Sequence, residues 1–228
     1  MVVTVANEKG GSGKSNIAIN LAVKLFSLGE DILLIDSDPQ NSIRVFNDIR
    51  ASKEVPLGFN CVNVFGDSLA TQVKLLQGKY ETLIIDTAGR DCDEMREALS
   101  VSDILIIPTQ PSDLDIAVLN KMIKLFKQYK QFKRDLKAFV VISKASPNPA
   151  LQDKITALQS YINDKNIDDL RLCKSVLYER ELYRNAFSNG MGVVEYGKKS
   201  DNALKDFEGF FKELVAFSNA SKDIKKGA

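Results

Sequence analysis

The 228-residue sequence contains no histidine. That absence excludes every catalytic triad and every metal site built on an imidazole. Any chemistry here must use carboxylates, lysines, hydroxyls, backbone amides or metal-bound water. Cysteine is scarce. Cys61, Cys92 and Cys173 lie far apart and form no C-x-x-C pair, which argues against zinc or an iron–sulfur cluster held by one chain and against a disulfide framework. No apolar run reaches the ~20 residues that span a bilayer. The opening run, Met1 to Ala6, is too short for a signal peptide and has no basic lead-in, so the expected location is the cytoplasm. An excess of either charge is also missing. The formal net charge is +1, so affinity for nucleic acid would have to come from a local patch. Internal repeats, long linkers and low-complexity stretches are absent. The length suits one α/β domain with a well-buried core, expected over residues 1–219, with residues 220–228 as a frayed tail.

What the chain does have is an alternation of short apolar runs with helical patterns. The runs are Val2–Ala6, Ile32–Ile35, Leu83–Ile85, Ile104–Ile107 and Phe139–Ile142. They are continuously apolar, as strands covered on both faces must be. Between them lie stripes at helical spacing. One is Ile17, Leu21, Leu25 and Leu28, stopped by Gly29; another is Leu119, Met122, Ile123 and Phe126. Leu151, Ile155, Leu158 and Ile162 form a third, and Leu204, Phe207, Phe210, Phe211, Leu214 and Phe217 the last. This order predicts an α/β fold, a doubly wound and mostly parallel sheet flanked by helices.

The first run leads into Lys9-Gly10-Gly11-Ser12-Gly13-Lys14-Ser15, with a helix starting inside it. Glycines let the backbone curl so that several N–H groups face one anion, and the helix N-terminus adds its positive end. Lys14 can reach outer phosphates, and the Ser15 hydroxyl can bind Mg²⁺. The general P-loop pattern asks for glycine where this chain has Glu8, so that pattern fails by one residue. Lys-Gly-Gly-x-Gly-Lys-Ser/Thr fits instead at six specified positions. Common residues occur at roughly 5–10% each, so a chance match is rarer than about one in a thousand.

Carboxylates end two other strands: Asp36 and Asp38 in Asp36-Ser-Asp38-Pro-Gln40, and Asp86 in Leu83-Ile-Ile-Asp86-Thr-Ala-Gly89. Ligands of open parallel sheets bind beyond the carboxyl ends of the strands. Asp86 after its apolar run matches a Walker B arrangement for Mg²⁺. Of the pair on the second strand, one can face a metal and the other can orient an attacking water.

These segments, together with Ile106-Ile-Pro108-Thr-Gln-Pro111-Ser-Asp-Leu-Asp115, resemble the ParA/MinD family of deviant Walker ATPases. The resemblance covers the chain to about Phe217 and is marked for the small ParA proteins of plasmid partition, which start at the first strand without a preceding DNA-reading domain. It implies a P-loop NTPase fold and ATP with Mg²⁺ held between two subunits of a homodimer. It implies that Lys9 reaches the partner's nucleotide, Lys14 binds phosphates, Ser15 ligates Mg²⁺ and Asp86 holds it through water. Asp36 is a further candidate metal ligand, and Asp38 would orient the attacking water. It also implies weak ATP hydrolysis, stimulated by a centromere-binding ParB-type protein, in a cytoplasmic, nucleoid-associated switch for DNA segregation. The chain departs from the family at two places. Asn16 replaces a frequent threonine, though its side chain can still donate to a phosphate, and Ala88-Gly89 replaces a common Pro-Pro. Lys144 and the turn Ser146-Pro-Asn-Pro149 are expected on the base side.

Non-specific DNA binding in this family needs only a basic patch. One candidate is Lys121, Lys124, Lys127, Lys130, Lys133, Arg134 and Lys137, opposed in sequence by Asp135 alone. The other, favoured by the resemblance, is Lys174, Arg180, Arg184, Lys198, Lys199 and Lys205. No aromatic interleaving suggests base stacking, and no helix-turn-helix is apparent. The alternative is a MinD-like membrane-associated positioning ATPase, which needs an amphipathic C-terminal helix. The Leu204–Phe217 stripe reads better as core, so no membrane contact is expected.

Overall fold

The computed structural model describes residues 1–219. The expected tail, 220–228, lies outside the described residues. The strands are β1 (Val2–Val5), β2 (Ile32–Asp36), β3 (Asn60–Asn63), β4 (Thr82–Asp86), β5 (Ile104–Thr109), β6 (Lys137–Ala145), β7 (Leu170–Leu172) and β8 (Leu177–Tyr178). They form one sheet in the order β3-β2-β4-β1-β5-β6-β7, with β8 continuing the β7 edge beside the end of β6. All the described pairings are parallel. Parallel strands need crossovers, and from β1 to β7 helices supply them: α1 (Lys14–Ser27), α2 (Ser42–Ser52), α3 (Leu69–Leu76), α4 (Asp93–Val101), α5 (Asp113–Phe132) and α6 (Gln152–Asp164); α7 (Glu181–Ser188), α8 (Val193–Tyr196) and α9 (Asn202–Asn219) follow β8.

Each face of the sheet has its own core. Val3, Val5, Leu34, Ile106 and Phe139 point toward α1, α2 and α7–α9. Leu105, Ile107, Val140 and Ile142 meet α5 and α6, while Leu33, Ile35, Leu83 and Ile85 meet α3 and α4. The central strands are buried on both faces, which is why their sequences are continuously apolar. In α9, Phe207, Phe210, Phe211, Leu214 and Phe217 are buried, and Phe139 stacks on Phe217. The stripe is core, as its sequence suggested. No helix among the described residues is long and apolar enough to cross a membrane.

Three expectations need correction. Leu28 follows α1 and is exposed; Gly29, at φ +87°, turns the chain there. Leu151 belongs to a 3-10 turn and not to the buried stripe of α6. The first basic patch is opposed by more than Asp135: Lys130 pairs with Asp169, Lys133 with Asp103, and Lys121 lies 3.8 Å from Glu8. Those carboxylates are remote in sequence and arrive through the fold.

A buried arginine near the end of α2 joins that helix to the segment at Gly190 and Glu195. Arg50 donates to both carboxylate oxygens of Glu195 at 2.7 Å, to the Gly190 carbonyl at 2.7 Å and to the Pro56 carbonyl at 2.8 Å. Gly190 sits at φ +64°, and a Cβ there would fall 2.4 Å from the Arg50 Cα. The clamp fixes α2, which begins just beyond Asp38, against α7 and α8.

Candidate nucleotide site

The register of the sheet brings the sequence motifs together. Val5 and Asp36 both lie opposite Asp86, so three strand ends finish at one level. Above them the chain from β1 curls into the glycine loop. Gly11 and Gly13 adopt φ +75° and +97°, conformations that favour glycine. Gly13 precedes α1, so the first-turn amides of that helix open onto the loop.

Neighbouring strands fix the loop. Asn7 donates to the Pro108 carbonyl through Nδ2 and accepts from the Lys9 N–H at Oδ1. Ser143, near the end of β6, donates to the Ser12 carbonyl at 2.7 Å. Gly89 closes from the other side. A Cβ there would lie 2.7 Å from the Gly10 Cα and 3.2 Å from Lys14 Nζ.

Lys14 is buried, and its ammonium donates back to the Lys9 carbonyl at 3.1 Å. Burial lowers its pKa, while the charges of Asp86 and Asp38 raise it again. Asp86 is fully buried, and neither carboxylate oxygen has a hydrogen-bond partner of good geometry. Burial pushes its carboxyl up to about 7, with the nearby Ser15 hydroxyl and the Lys14 ammonium pulling it down. Ser12 Oγ is likewise buried without a partner.

Asp36 is occupied. Its Oδ1 accepts from the Asp38 N–H at 3.0 Å and its Oδ2 from the Ile43 N–H at 3.2 Å. It holds the turn that presents Asp38, and its pKa is raised, chiefly by burial. The chemistry of the donor set fits Mg²⁺: one hydroxyl, Ser15, and one unpartnered carboxylate, Asp86, for a hard cation that keeps its waters and shares substrate phosphates. Among the described residues no group of three or more carboxylates or thiols forms a cage.

The open space is a cleft of about 800 Å³. Gly10, Gly11, Gly13, Lys14, Ser15, Asn16 and Asp38 line one end. Lys144 lines it too, at φ +49°, where β6 is irregular. The turn at 146–149 does not line it. Because β8 pairs with the end of β6, the wall beside Lys144 is Tyr178, Arg180, Tyr183 and Arg184 instead. Two residues expected to contact DNA therefore face this cleft. Arg180 pairs with Asp206 at 2.6 Å, and Arg184 pairs with Glu179. Lys174, Lys198, Lys199 and Lys205 are exposed elsewhere. Lys9 does not line the cleft; its ammonium meets Asp115 at 2.8 Å. Sequence reasoning missed the Gly89 contact, the Ser143 support and the role of Asp115, though Gly89 and Asp115 both stand in segments it singled out.

Comparison with known proteins agrees with this geometry. The family model described as "CobQ/CobB/MinD/ParA nucleotide binding domain" matches residues 3–193. A "Maintenance of carboxysome distribution protein A" of Halothiobacillus neapolitanus is 25% identical, over 93% of this chain and 95% of its own. A "Protein ParA" of Rhizobium radiobacter is also 25% identical, over 94% and 97%. The crystal structure of a plasmid partition protein from Borrelia burgdorferi B31 bound to AMPPNP superimposes with a TM-score of 0.72 at 21% identity, covering 95% of this chain and 98% of that one. With the model matched from the first strand through the start of α8, this chain belongs to the CobQ/CobB/MinD/ParA nucleotide-binding family.

Proposed function

We propose that this protein is a DNA-partition ATPase that dimerises around ATP and Mg²⁺ and is switched off by hydrolysis. The observation that carries this reading is the convergence of Lys14, Ser15 and Asp38 on the cleft, with Asp86 buried beside Lys14 and Ser15. The backbone amides of Gly10 to Ser15 bind phosphates, and Lys14 lies among them. Ser15 and Asp86 would hold Mg²⁺, whose charge neutralises the phosphates as the terminal one leaves. Asp36 stays with its backbone partners and positions Asp38. Asp38 accepts a hydrogen bond from the attacking water. Lys9 is the cation that crosses to the partner subunit's nucleotide. Lys144, Tyr178 and the α7 wall take the base side.

In this reading the dimer binds non-specific DNA through exposed lysines, with Lys174, Lys198, Lys199 and Lys205 as candidates. A centromere-binding partner stimulates hydrolysis. A relative named for carboxysome distribution, matched over 95% of its length, makes a protein body an equally good cargo for the same cycle. Burial of the α9 stripe disfavours the MinD-like membrane alternative.

Sedimentation velocity with Mg-ATP, with and without non-specific duplex DNA, tests the proposal. The expected result is an ATP-dependent dimer that co-sediments with DNA and releases it as salt rises. A monomer that ignores both ATP and DNA would refute it.

A further inference from the structure

The lysine that opens the glycine loop is already engaged within its own chain. Lys9 Nζ lies 2.8 Å from Asp115 Oδ2, and the Asp115 side chain is fully buried while that of Lys9 is 34% exposed. Asp115 is the third residue of α5, where the amides of the first helical turn favour a carboxylate. Ser112 caps the helix by accepting from the Asp115 N–H, and its hydroxyl donates to the same Oδ2. The other oxygen, Oδ1, has no partner. Among the described residues Lys9 is the cation paired with this buried carboxylate, joined to it across 106 residues of sequence.

The rest of the loop keeps Lys9 at that post. Its N–H donates to Asn7 Oδ1, and its carbonyl accepts from Lys14 Nζ. Asn7 in turn holds the Pro108 carbonyl, in the same β5–α5 segment that carries Asp115. A side chain held this way points into its own subunit. It cannot at the same time cross to a second one, and withdrawing it leaves a buried charge with a single hydroxyl donor.

We propose that Asp115 is a positioning residue that parks Lys9 within its own subunit and sets how readily the protein dimerises. The inference rests on the dimer reading above for its consequence but not for its premise. Each subunit must release its own lysine before a symmetric dimer can form, so the latch enters the association constant once per subunit. If one latch lowers the competent fraction f-fold, a dimer of two latched subunits is weakened by f², and a mixed dimer by f. For an f of about 5, the three dimers differ by about 5-fold and 25-fold.

The test uses Asp115→Asn, which keeps the shape and the helix-capping bonds while removing the charge. First, the nucleotide-free protein is labelled with an amine-reactive acetylating reagent, and modification of Lys9 is followed by mass spectrometry against exposed Lys53. Lys9 should react several-fold faster in the variant. Second, association constants with Mg²⁺ and a non-hydrolysable ATP analogue are measured for parent, variant and a tagged mixture. They should rise in geometric progression. Unchanged Lys9 labelling overturns the latch. A variant that labels faster but dimerises more weakly overturns it as well, since Asp115 would then support the crossing lysine. Faster labelling where neither protein dimerises keeps the parking contact and removes the dimer reading instead. Asp115→Glu, which restores the charge, should return labelling toward the parent rate.

Discussion

Gly89 offers the sharpest steric test of the site. An alanine Cβ at this position would stand 2.7 Å from the Gly10 Cα and 2.8 Å from its nitrogen, where ordinary contact begins at 3.4 Å. The two backbones must therefore part by 3.4 − 2.7, about 0.7 Å, and both neighbours are main chain that cannot rotate away. Overpacking of this kind costs about 1–3 kcal/mol. Loss of glycine's freedom in the unfolded chain returns about 0.4–1 kcal/mol. The net cost of Gly89→Ala is then about 0–2.6 kcal/mol, centred near 1.3 kcal/mol, which is roughly 3–5 °C in melting temperature at this size. Gly10 belongs to the phosphate cradle, so the same displacement should weaken nucleotide binding about 3- to 30-fold. Gly10→Ala is the control, because a Cβ there meets nothing within 4 Å; its nucleotide-free melt should stay within about 0.5 kcal/mol of the parent. The assays are a nucleotide-free thermal melt and titration of a fluorescent nucleotide. If Gly89→Ala melts and binds like the parent, the contact between the two loops does not hold the cradle.

Asp86 should make the nucleotide-free protein sensitive to pH. Its pKa rises from 3.8 to about 7 on folding, so the folded state binds the proton more tightly. Stability from this group is therefore greatest below about pH 4 and declines as pH rises to about 7, by up to about 4 kcal/mol at about 1.36 kcal/mol per unit. Chemical denaturation of Asp86→Asn between pH 5 and 8 should lack that slope, and an unchanged slope would place the titration elsewhere. Lys9→Ala should spare nucleotide binding in a calorimetric titration yet abolish the ATP-dependent dimer in sedimentation, whereas Lys14→Ala should lose binding itself. Glu195→Ala leaves buried Arg50 without its carboxylate and should cost about 2–4 kcal/mol in urea unfolding, near the low end for a broken buried pair because the glutamate is partly solvated.

The central sheet was legible because strands buried on two faces must be apolar throughout: β1, β2, β4, β5 and β6 all announce themselves. β3 did not. Asn60-Cys-Val-Asn63 is an edge strand whose outer side needs no apolar residue, so its sequence carries no period. β7 and β8 are too short to show one. The phosphate loop and its carboxylates were readable because that chemistry confines residue type and spacing to a few consecutive positions. The base side was not. Its wall arrives through a bulge at Lys144 that selects β8 as the neighbour, and the 146–149 turn, adjacent in sequence, is carried away. Arg180 and Arg184 were expected on DNA for the same reason. A lysine or arginine gives no sequence sign of which carboxylate it will meet, and Asp206, Glu179 and Asp115 were each placed by the fold.

The groups of the site are of two kinds. Asp86 and Ser12 are buried without partners, and Lys14 is desolvated with only a carbonyl to bind. Each of these is a local cost that phosphate oxygens and a hard cation would relieve, so binding should stabilise the folded protein. Lys9 is the opposite kind, since its ammonium already meets a carboxylate oxygen of Asp115 at 2.8 Å. Nothing is gained by moving Lys9 unless a stronger anion waits outside. The first kind makes nucleotide binding favourable to a single subunit. In the dimer proposed above, the second would make association conditional on a second nucleotide-bearing surface. A site with both kinds separates loading from assembly, and that separation is what a switch requires.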